Sequence, residues 1–180
     1  PTELGKLTLL KDLRLDDGNW FIGSDIPTEV GQLVRLEKLT LDNLALSGGI
    51  PSELGALTAM TDLSMRGNRL GGTLPSELAR LTDLVRLRLQ LAELNGTLPT
   101  EWGELTALTE LDVSSNMLSG TIPTEYGELS ALERFFARDN FLYGEVPSEV
   151  CELSELLLVG DFCSEELTCV ANPTCCDCVE

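Results

Sequence analysis

The stretch PTEWGELTALTELDVSSNMLSGTI, residues 99–122, decides the fold, because most of the chain repeats its pattern. Proline marks the start of each copy, and successive copies follow at intervals of 24 residues from Pro27, Pro51, Pro75, Pro99, Pro123 and Pro147. The first copy begins at Pro1 and is longer, at 26 residues. An internal repeat of this period predicts a solenoid, in which each copy packs against the copies before and after it.

Apolar residues recur at fixed distances from each proline and predict three columns of core side chains. The columns are Leu7, Leu33, Leu57, Leu81, Leu105, Leu129 and Leu153; Leu10, Leu36, Met60, Leu84, Leu108, Leu132 and Leu156; and Leu13, Leu39, Leu63, Leu87, Leu111, Phe135 and Val159. Within each copy the spacing tightens to alternation, as at Leu111-Asp112-Val113, which is typical of a short β-strand. One strand per copy predicts a parallel sheet with strands about 4.8 Å apart.

The pattern LxxLxLxxNxLxGxIPxxLGxL runs through residues 1–156 and resembles the plant-type leucine-rich repeat. The resemblance implies an α/β fold, a right-handed solenoid with a concave parallel sheet and short helical turns on the convex side. It divides the chain into six repeats at 1–146, with the family's amino-terminal cap missing, and a terminal repeat with a disulfide-rich cap at 147–180. We therefore expect a mature or trimmed piece of a longer protein.

Asparagine and glycine hold two further positions of the repeat. Asn68, Asn116 and Asn140 stand where the family has a ladder of asparagines, whose amides bond to the backbone of adjacent turns. The ladder is interrupted at Gly18, Leu44 and Ala92. We expect the backbone amides there to need other partners. The glycine of the GxIP motif, at Gly48, Gly72, Gly96, Gly120 and Gly144, suits a backbone with positive φ.

All six cysteines lie near the carboxyl end, at Cys151, Cys163, Cys169, Cys175, Cys176 and Cys178. A zinc site is the less favoured interpretation, because paired CxxC knuckles are missing and the chain has no histidine. A disulfide-stapled cap is favoured, and it implies an extracellular protein, secreted or on the cell surface. The pairing stays open. The tail resembles the Cys-rich ends of secreted algal leucine-rich repeat proteins.

The chain is acidic, with a net charge of −18, which argues against nucleic acid or an anionic membrane surface as a partner. No apolar run approaches the ~20 residues of a membrane span, so we expect no membrane insertion. One glutamate per copy forms a ladder, at Glu3, Glu29, Glu53, Glu77, Glu101, Glu125 and Glu149. We attribute the ladder to helix starts, with Ser or Thr as the N-cap. A flat row offers too few converging oxygens for calcium, so no metal or cofactor is predicted.

Side chains that point outward from the predicted sheet are the candidates for ligand binding. One outward column alternates in sign and predicts ion pairs between neighbouring strands: Asp12, Lys38, Asp62, Arg86, Glu110 and Arg134. Two clusters depart from this self-pairing pattern. Arg66, Arg86 and Arg88 form a basic spot suited to a carboxylate, sulfate or phosphate group. Arg134, Phe136 and Arg138 form an aromatic and basic cluster typical of a binding hot spot.

Several smaller features have two interpretations each. Phe136 either contacts a ligand or covers the cap together with Phe162, whereas Trp102 and Tyr126 replace core leucines. The run Trp20-Phe21-Ile22 either covers the amino-terminal end of the core or forms an exposed patch. Asn95-Gly96-Thr97 is a glycosylation sequon, so a glycan is predicted at Asn95. The column Thr73, Thr97 and Thr121 is similar to ice-binding repeats, but it has only three rungs.

No catalytic residues are predicted. The chain has no histidine, no G-x-S-x-G motif and no P-loop, so the usual nucleophile and base pairs are missing. We predict a non-enzymatic extracellular module that recognises a protein, peptide or glycan on its concave face. The alternative is a structural building block of a cell wall, matrix or surface filament, which would act through self-association or assembly into a larger complex.

Overall fold

The computed structural model describes residues 3–16, 24–153, 156–159 and 167–168. Its strands are β1 Asp12–Asp16, β2 Lys38–Asp42, β3 Asp62–Ser64, β4 Arg86–Arg88, β5 Asn95–Gly96, β6 Glu110–Asp112, β7 Met117–Gly120, β8 Arg134–Phe136, β9 Phe141–Leu142, β10 Gly144–Glu145, β11 Leu157–Val159 and β12 Leu167–Thr168. Seven of them form one parallel sheet in the order β1-β2-β3-β4-β6-β8-β11. The sheet order follows the chain order, as the repeat predicts for a solenoid.

A second, narrower set of parallel strands runs along one side of the solenoid, which we call the lateral face. It consists of β5-β7-β9 and of the pair β10-β12. Its strands contain the GxIP glycines, as the sequence predicts. Gly96, Gly120 and Gly144 have φ of +82°, +86° and +92°, a conformation that glycine adopts without strain. The glycine is the last residue of β5 and of β7 and the first residue of β10.

Short helices line the convex side opposite the main sheet. The 3-10 helices are Leu4–Lys6, Thr28–Gln32, Ser52–Ala56, Ser76–Arg80, Thr100–Glu104 and Thr124–Glu128, and α1 is Ser148–Cys151. The prediction that Ser or Thr caps these helices is wrong. Glu3 is the N-cap of Leu4–Lys6, and proline occupies the N-cap position of each later helix named above; no side chain caps the backbone at any of them. No helix in the described ranges has the length and apolar character needed to cross a membrane.

The predicted leucine columns form the core. In the second to sixth copies they are at most 2 % exposed. The prediction for Leu7 is wrong, since its side chain is 52 % exposed. Leu7 lies in the first described turn, which packs against one neighbouring turn among the described residues, and Leu10 and Leu13 are half-buried there. Trp102 and Tyr126 are fully buried, which confirms them as core residues.

The glycine at the convex end of the repeat allows the turns to stack closely. A Cβ added at Gly103 would lie 2.5 Å from the carbonyl oxygen of Glu125 in the next turn. Because that neighbour is backbone, it cannot move aside. The backbone of the glutamate ladder therefore takes part in a close contact between successive turns. The carboxylates extend from the convex side.

The asparagine ladder is confirmed at atomic detail. Asn116 Oδ1 accepts the backbone N–H groups of Ala92 and Leu94, at 3.1 and 3.0 Å. Its Nδ2 donates to the carbonyls of Leu89, Val113 and Ser114, at 2.9, 2.9 and 3.1 Å. Asn68 makes the equivalent hydrogen bonds two repeats earlier in the chain. A buried polar side chain thereby satisfies five inward-facing backbone groups.

The interruption of the ladder at Ala92 affects the preceding turn. The amide of Ala92 itself has a partner, Asn116, and the amide of Leu44 has Asn68, so the expectation that these amides need other partners was misplaced. By the spacing of the intact rungs, an asparagine at 92 would accept the N–H groups of Asn68 and Leu70. Neither N–H donates a hydrogen bond within the described part of the chain. The backbone N–H groups that lack a partner in the described ranges therefore lie one repeat before Ala92, the residue that interrupts the ladder.

Candidate ligand-binding site on the concave face

The strands of the main sheet hold their outward side chains in a regular lattice. Register places Lys38 opposite Asp12 and Asp62, and it places Glu110 opposite Arg86 and Arg134. Three columns therefore cross the concave face, each with one side chain per turn. Their chemistry changes from turn to turn, whereas the inward columns are uniformly apolar.

Asp42 organises the concave side chains at the second and third turns. Its carboxylate is 9 % exposed and accepts a hydrogen bond from the Ser64 hydroxyl at 2.7 Å. It also accepts the Arg66 backbone N–H at 3.2 Å and the Arg66 Nε at 2.9 Å. Arg66 is therefore held by one edge of its guanidinium, and its side chain remains 53 % exposed.

Glu110 organises the fourth to sixth turns. Its Oε1 accepts Arg88 Nε at 2.5 Å, and its Oε2 accepts Arg134 Nη2 at 2.8 Å. The hydrogen bond from Arg88, together with the bond from Arg134, holds the pKa of Glu110 below its usual range despite burial. The same bond to Glu110 raises the pKa of Arg88. One buried carboxylate thus fixes two arginines, and Arg134 Nη1 also lies 3.6 Å from Glu133 Oε2.

The ion pairs expected along the alternating column are only partly formed. Arg86 pairs with Asp62 and Arg134 pairs with Glu110, as predicted. Asp12, however, accepts Arg14 Nε and Nη2 from its own strand, both at 3.0 Å, instead of pairing with Lys38. The forked guanidinium takes the two carboxylate oxygens with two separate nitrogens.

Two shallow cavities lie on this lattice. The first, about 390 Å³, is lined by Arg14, Lys38, Thr40, Asp62, Leu63, Ser64, Arg86, Arg88 and Arg134. The second, about 430 Å³, is lined by Thr40, Asp42, Ser64, Arg66, Arg88, Gln90, Glu110, Asp112, Arg134 and Phe136. Five cationic side chains and one carboxylate line the first cavity, on a protein whose net charge is −18. Its chemistry fits an anionic group of a ligand.

The structure brings most of the predicted site residues together. Arg86, Arg88 and Arg134 share the first cavity, and Arg66 and Phe136 share the second with Arg88 and Arg134. Phe136 is half-exposed on the concave face, as predicted. Its alternative partner Phe162 lies outside the described residues. Arg138 lines neither cavity; its side chain is 61 % exposed and lies 4.0 Å from Asp139.

Sequence reasoning left several residues that line the two cavities out of the site, among them Lys38, Gln90 and Glu110. Their outward column positions were visible in the sequence. Glu110 stands out because it holds two arginines. Gln90 stands out because its buried Oε1 has no hydrogen-bond partner among the described residues. A column position alone does not reveal these differences.

The lateral face carries the sequon and an exposed apolar group. Asn95 is exposed in β5 and lies opposite Met117 of β7. Met117, Phe141 and Tyr143 are 46 %, 66 % and 56 % exposed. Thr73, Thr97 and Thr121 are exposed in three consecutive turns of the same face.

The cysteine cap falls mostly outside the described residues. Cys151, at the end of α1, is disulfide-bonded. Cys163, Cys169, Cys175, Cys176 and Cys178 are outside the described ranges, and so is the run Trp20-Phe21-Ile22. The disulfide-stapled cap therefore stays a prediction, and its pairing stays open.

Residues 59–81 and 107–129 match the family model described as Leucine Rich Repeat. Parallel strands stacked one per turn, with 3-10 helices behind them, agree with that match. The fold is a leucine-rich repeat solenoid. No curated protein matches the chain significantly.

Several solved structures are similar to this chain, and the first is a leucine-rich repeat ectodomain. This is the ectodomain of GASSHO1/SCHENGEN3, a membrane receptor kinase of Arabidopsis thaliana, in complex with CASPARIAN STRIP INTEGRITY FACTOR 2; it is 33% identical over 89% of this chain, with a TM-score of 0.83. The plant peptide hormone receptor RGFR1, in complex with RGF2, is 32% identical over 94% of this chain, with a TM-score of 0.83. A plant ice-binding protein is 30% identical over 82%, with a TM-score of 0.78. The chain spans 19%, 29% and 48% of these three proteins.

Proposed function

We propose that this chain is an extracellular leucine-rich repeat module that recognises a peptide, protein or glycan ligand on its concave face. Arg66, Arg86, Arg88, Arg134 and Phe136 form the binding surface, with Arg138 at its rim. The ligand presents at least one anionic group to the arginines. The module itself performs no catalysis and acts by binding, alone or as part of a larger protein.

One observation carries the proposal: cationic side chains and an aromatic ring gather on the concave face of a strongly acidic chain. The two cavities share Arg88 and Arg134, which Glu110 holds in place. A guanidinium already fixed in position loses little conformational entropy when a ligand binds to it. Phe136 adds an exposed aromatic surface beside Arg134, a combination typical of interface hot spots.

The structural relatives support ligand recognition as the class of function. Two of the three reported above are plant receptors, and they were solved in complexes with CASPARIAN STRIP INTEGRITY FACTOR 2 and RGF2. Because the chain spans less than a third of either receptor, the receptors' own ligands are not transferred to it. The concave lattice of this chain decides which ligand chemistry it accepts.

The test is capture of a binding partner by the immobilised chain. A variant with Arg88→Ala, Arg134→Ala and Phe136→Ala removes two concave arginines and the aromatic ring. We expect the parent to retain one saturable partner from surface extract of the producing organism, and the variant to lose most of it. Peptide and glycan arrays probed with the same two proteins report the chemical class of the partner.

A matched control removes the same number of positive charges and of apolar side chains outside the concave face. Arg35→Ala, Arg69→Ala and Met117→Ala also remove two arginines and one exposed apolar side chain. This control should capture as much partner as the parent does. If all three proteins capture the same material, or mainly further copies of themselves, the concave site is wrong and the structural building block takes its place.

Ice binding is a second candidate, favoured by the similar plant ice-binding protein and by the exposed threonine row of the lateral face. In that row Thr73, Thr97 and Thr121 repeat once per turn. Inhibition of ice recrystallisation by the parent, and its loss in Thr97→Glu, would favour this function. An inactive parent rejects it.

Asn95 and the cysteines are proposed as sites of covalent modification. Asn95 is exposed, so a glycan there would occupy the lateral face beside Met117 and leave the concave face open. A mass loss on treatment with peptide N-glycosidase, abolished by Asn95→Gln, tests the glycan. Mass spectrometry of non-reduced peptides tests the disulfides of the cap and their pairing.

A further inference from the structure

On the concave face, Lys38 is a cation that has no ion-pair partner among the described residues of the main sheet. Asp12 and Asp62 lie opposite it in register on the two neighbouring strands. Asp12 accepts both of its bonds from Arg14, and Asp62 is occupied by Arg86 and by the Thr61 hydroxyl at 2.9 Å. Lys38 forms no ion pair with any residue in the described ranges. Its charge is therefore uncompensated at close range.

The surroundings of Lys38 are themselves cationic. The side chain is half-buried and lines the first cavity with Arg14, Arg86, Arg88 and Arg134, against a single carboxylate from Asp62. Each of these arginines has an acidic partner. A ligand anion approaching a paired arginine is also repelled by that partner's carboxylate. The Lys38 ammonium donates to no carboxylate in the described part of the chain, so its N–H groups are open to a ligand anion.

A free hydroxyl lies beside the ammonium. Thr40 follows Lys38 by two residues in β2, so both side chains project from the same face of the strand. Thr40 lines both cavities, and its hydroxyl makes no hydrogen bond with a described residue. The neighbouring Ser64 hydroxyl is already bound to Asp42. An ammonium and an unused hydroxyl on one strand together supply several donors to a small oxyanion.

We propose that Lys38 and Thr40 form an oxyanion subsite at the second turn, with Arg14 and Arg86 at its sides. The subsite takes the sulfate, phosphate or carboxylate group of the ligand. The inference rests on the proposed concave recognition and refines it, because it moves the anchor for the ligand's charge from the fourth and sixth turns to the second. Arg88, Arg134 and Phe136 then contact the remainder of the ligand.

Inorganic sulfate is the probe that tests the subsite. Sodium sulfate is titrated into the isotope-labelled full chain at constant ionic strength, balanced with sodium chloride, and the backbone amide shifts of β2 and β4 are followed. We expect saturable shifts in the parent. Lys38→Met should weaken the affinity about tenfold, the size of one well-placed charge contact, and Lys38→Arg should keep most of it. Thr40→Val, which removes the hydroxyl alone, should weaken it about threefold.

Arg35→Met is the matched control. Arg35 belongs to the same repeat and is exposed outside the concave sheet, so its loss changes the net charge by the same amount. Sulfate affinity should stay within about twofold of the parent. The proposal is overturned if the parent shows no saturable shifts, if Lys38→Met binds sulfate as tightly as the parent, or if Arg35→Met weakens binding equally.

Partner capture separates this inference from the proposed function. If Lys38→Met captures the partner as the parent does while Arg88→Ala, Arg134→Ala and Phe136→Ala together abolish capture, the subsite is wrong and concave recognition stands. If none of these variants affects capture, concave recognition itself fails. A loss of capture in Lys38→Met, with Arg35→Met unaffected, supports both.

Discussion

The concave and convex faces are built on the same repeat and carry different kinds of information. On the convex face every copy has a glutamate at the same position, and the backbone of this ladder takes part in a close contact between successive turns. On the concave face the side chain at one column position changes from Lys38 to Asp62, Arg86 and Glu110 in successive turns. Positions that repeat maintain the solenoid, whereas positions that vary carry the proposed binding surface. The predictions below separate these two roles, in order of decreasing effect.

Asn116→Ala should cause the largest loss of stability, because it removes a repeating interior group. The change leaves the buried N–H groups of Ala92 and Leu94 and three carbonyls without their side-chain partner. We expect the free energy of unfolding to fall by about 3–5 kcal/mol, measured by urea denaturation. The same substitution at exposed Asn95 should change it by less than about 0.5 kcal/mol. Equal costs at the two sites would contradict the structural role of the ladder.

Glu110→Gln tests the buried concave carboxylate that holds two arginines. Loss of its charge weakens the contacts with Arg88 and Arg134, and because both arginines are about 40% exposed we expect a cost of only about 1–2 kcal/mol at neutral pH. The arginines lower the pKa of Glu110 in the folded state. Its stabilisation is therefore present above the unfolded value near pH ~4.3 and is lost as pH falls through the folded pKa.

The pH dependence of unfolding distinguishes this role from simple packing. Stability of the parent and of Glu110→Gln should converge as the pH falls below about 4. Glu53→Gln, on the convex ladder, should match the parent within about 0.5 kcal/mol at neutral pH. A constant difference between Glu110→Gln and the parent at every pH would show that charge is not the source of the effect.

Ala92→Asn should stabilise the protein by restoring the missing rung. An asparagine there would accept the N–H groups of Asn68 and Leu70, and it stands between two intact rungs of the same geometry. We expect a gain of about 1 kcal/mol in the free energy of unfolding. Ala92→Leu, which fills the site without polar atoms, should give no such gain. Destabilisation by Ala92→Asn would show that the turns are too close to admit the amide.

Tyr126→Phe should have the smallest effect at neutral pH. The Tyr126 hydroxyl is buried and has no hydrogen-bond partner among the described residues, so its removal should be neutral or stabilising by up to about 1 kcal/mol. Burial raises the pKa of Tyr126. Stability of the parent should therefore fall as the pH rises above the unfolded value of about 10, and that of Tyr126→Phe should fall less. Alkaline denaturation followed by circular dichroism checks this, with equal falls as the contradicting result.

The features predictable from the sequence are those whose environment is the same in every turn. The leucine columns, the asparagine rungs and the GxIP glycines each hold a position whose backbone surroundings recur from copy to copy, so one pattern determines all of them. Leu7 failed because its turn packs against one neighbouring turn among the described residues. The helix caps failed because proline takes the N-cap position that was assigned to Ser or Thr.

The concave site was less predictable because its side chains choose among several partners. Register made Lys38 equally close to Asp12 and Asp62, and both instead bind arginines. That outcome depends on the forked shape of the guanidinium and on rotamers, which column positions do not specify. The same holds for Glu110, whose two arginines come from strands on either side of it.

Hydroxyl-radical footprinting of the complex with the captured partner tests the central claim most directly, because one experiment reports on both faces. Phe136 reports on the concave face, whereas Phe141 and Tyr143 report on the lateral face. Concave recognition predicts that partner binding lowers the labelling of Phe136 several-fold and leaves Phe141 and Tyr143 unchanged. Protection of Phe141 and Tyr143, with Phe136 labelled as in the free protein, would contradict it.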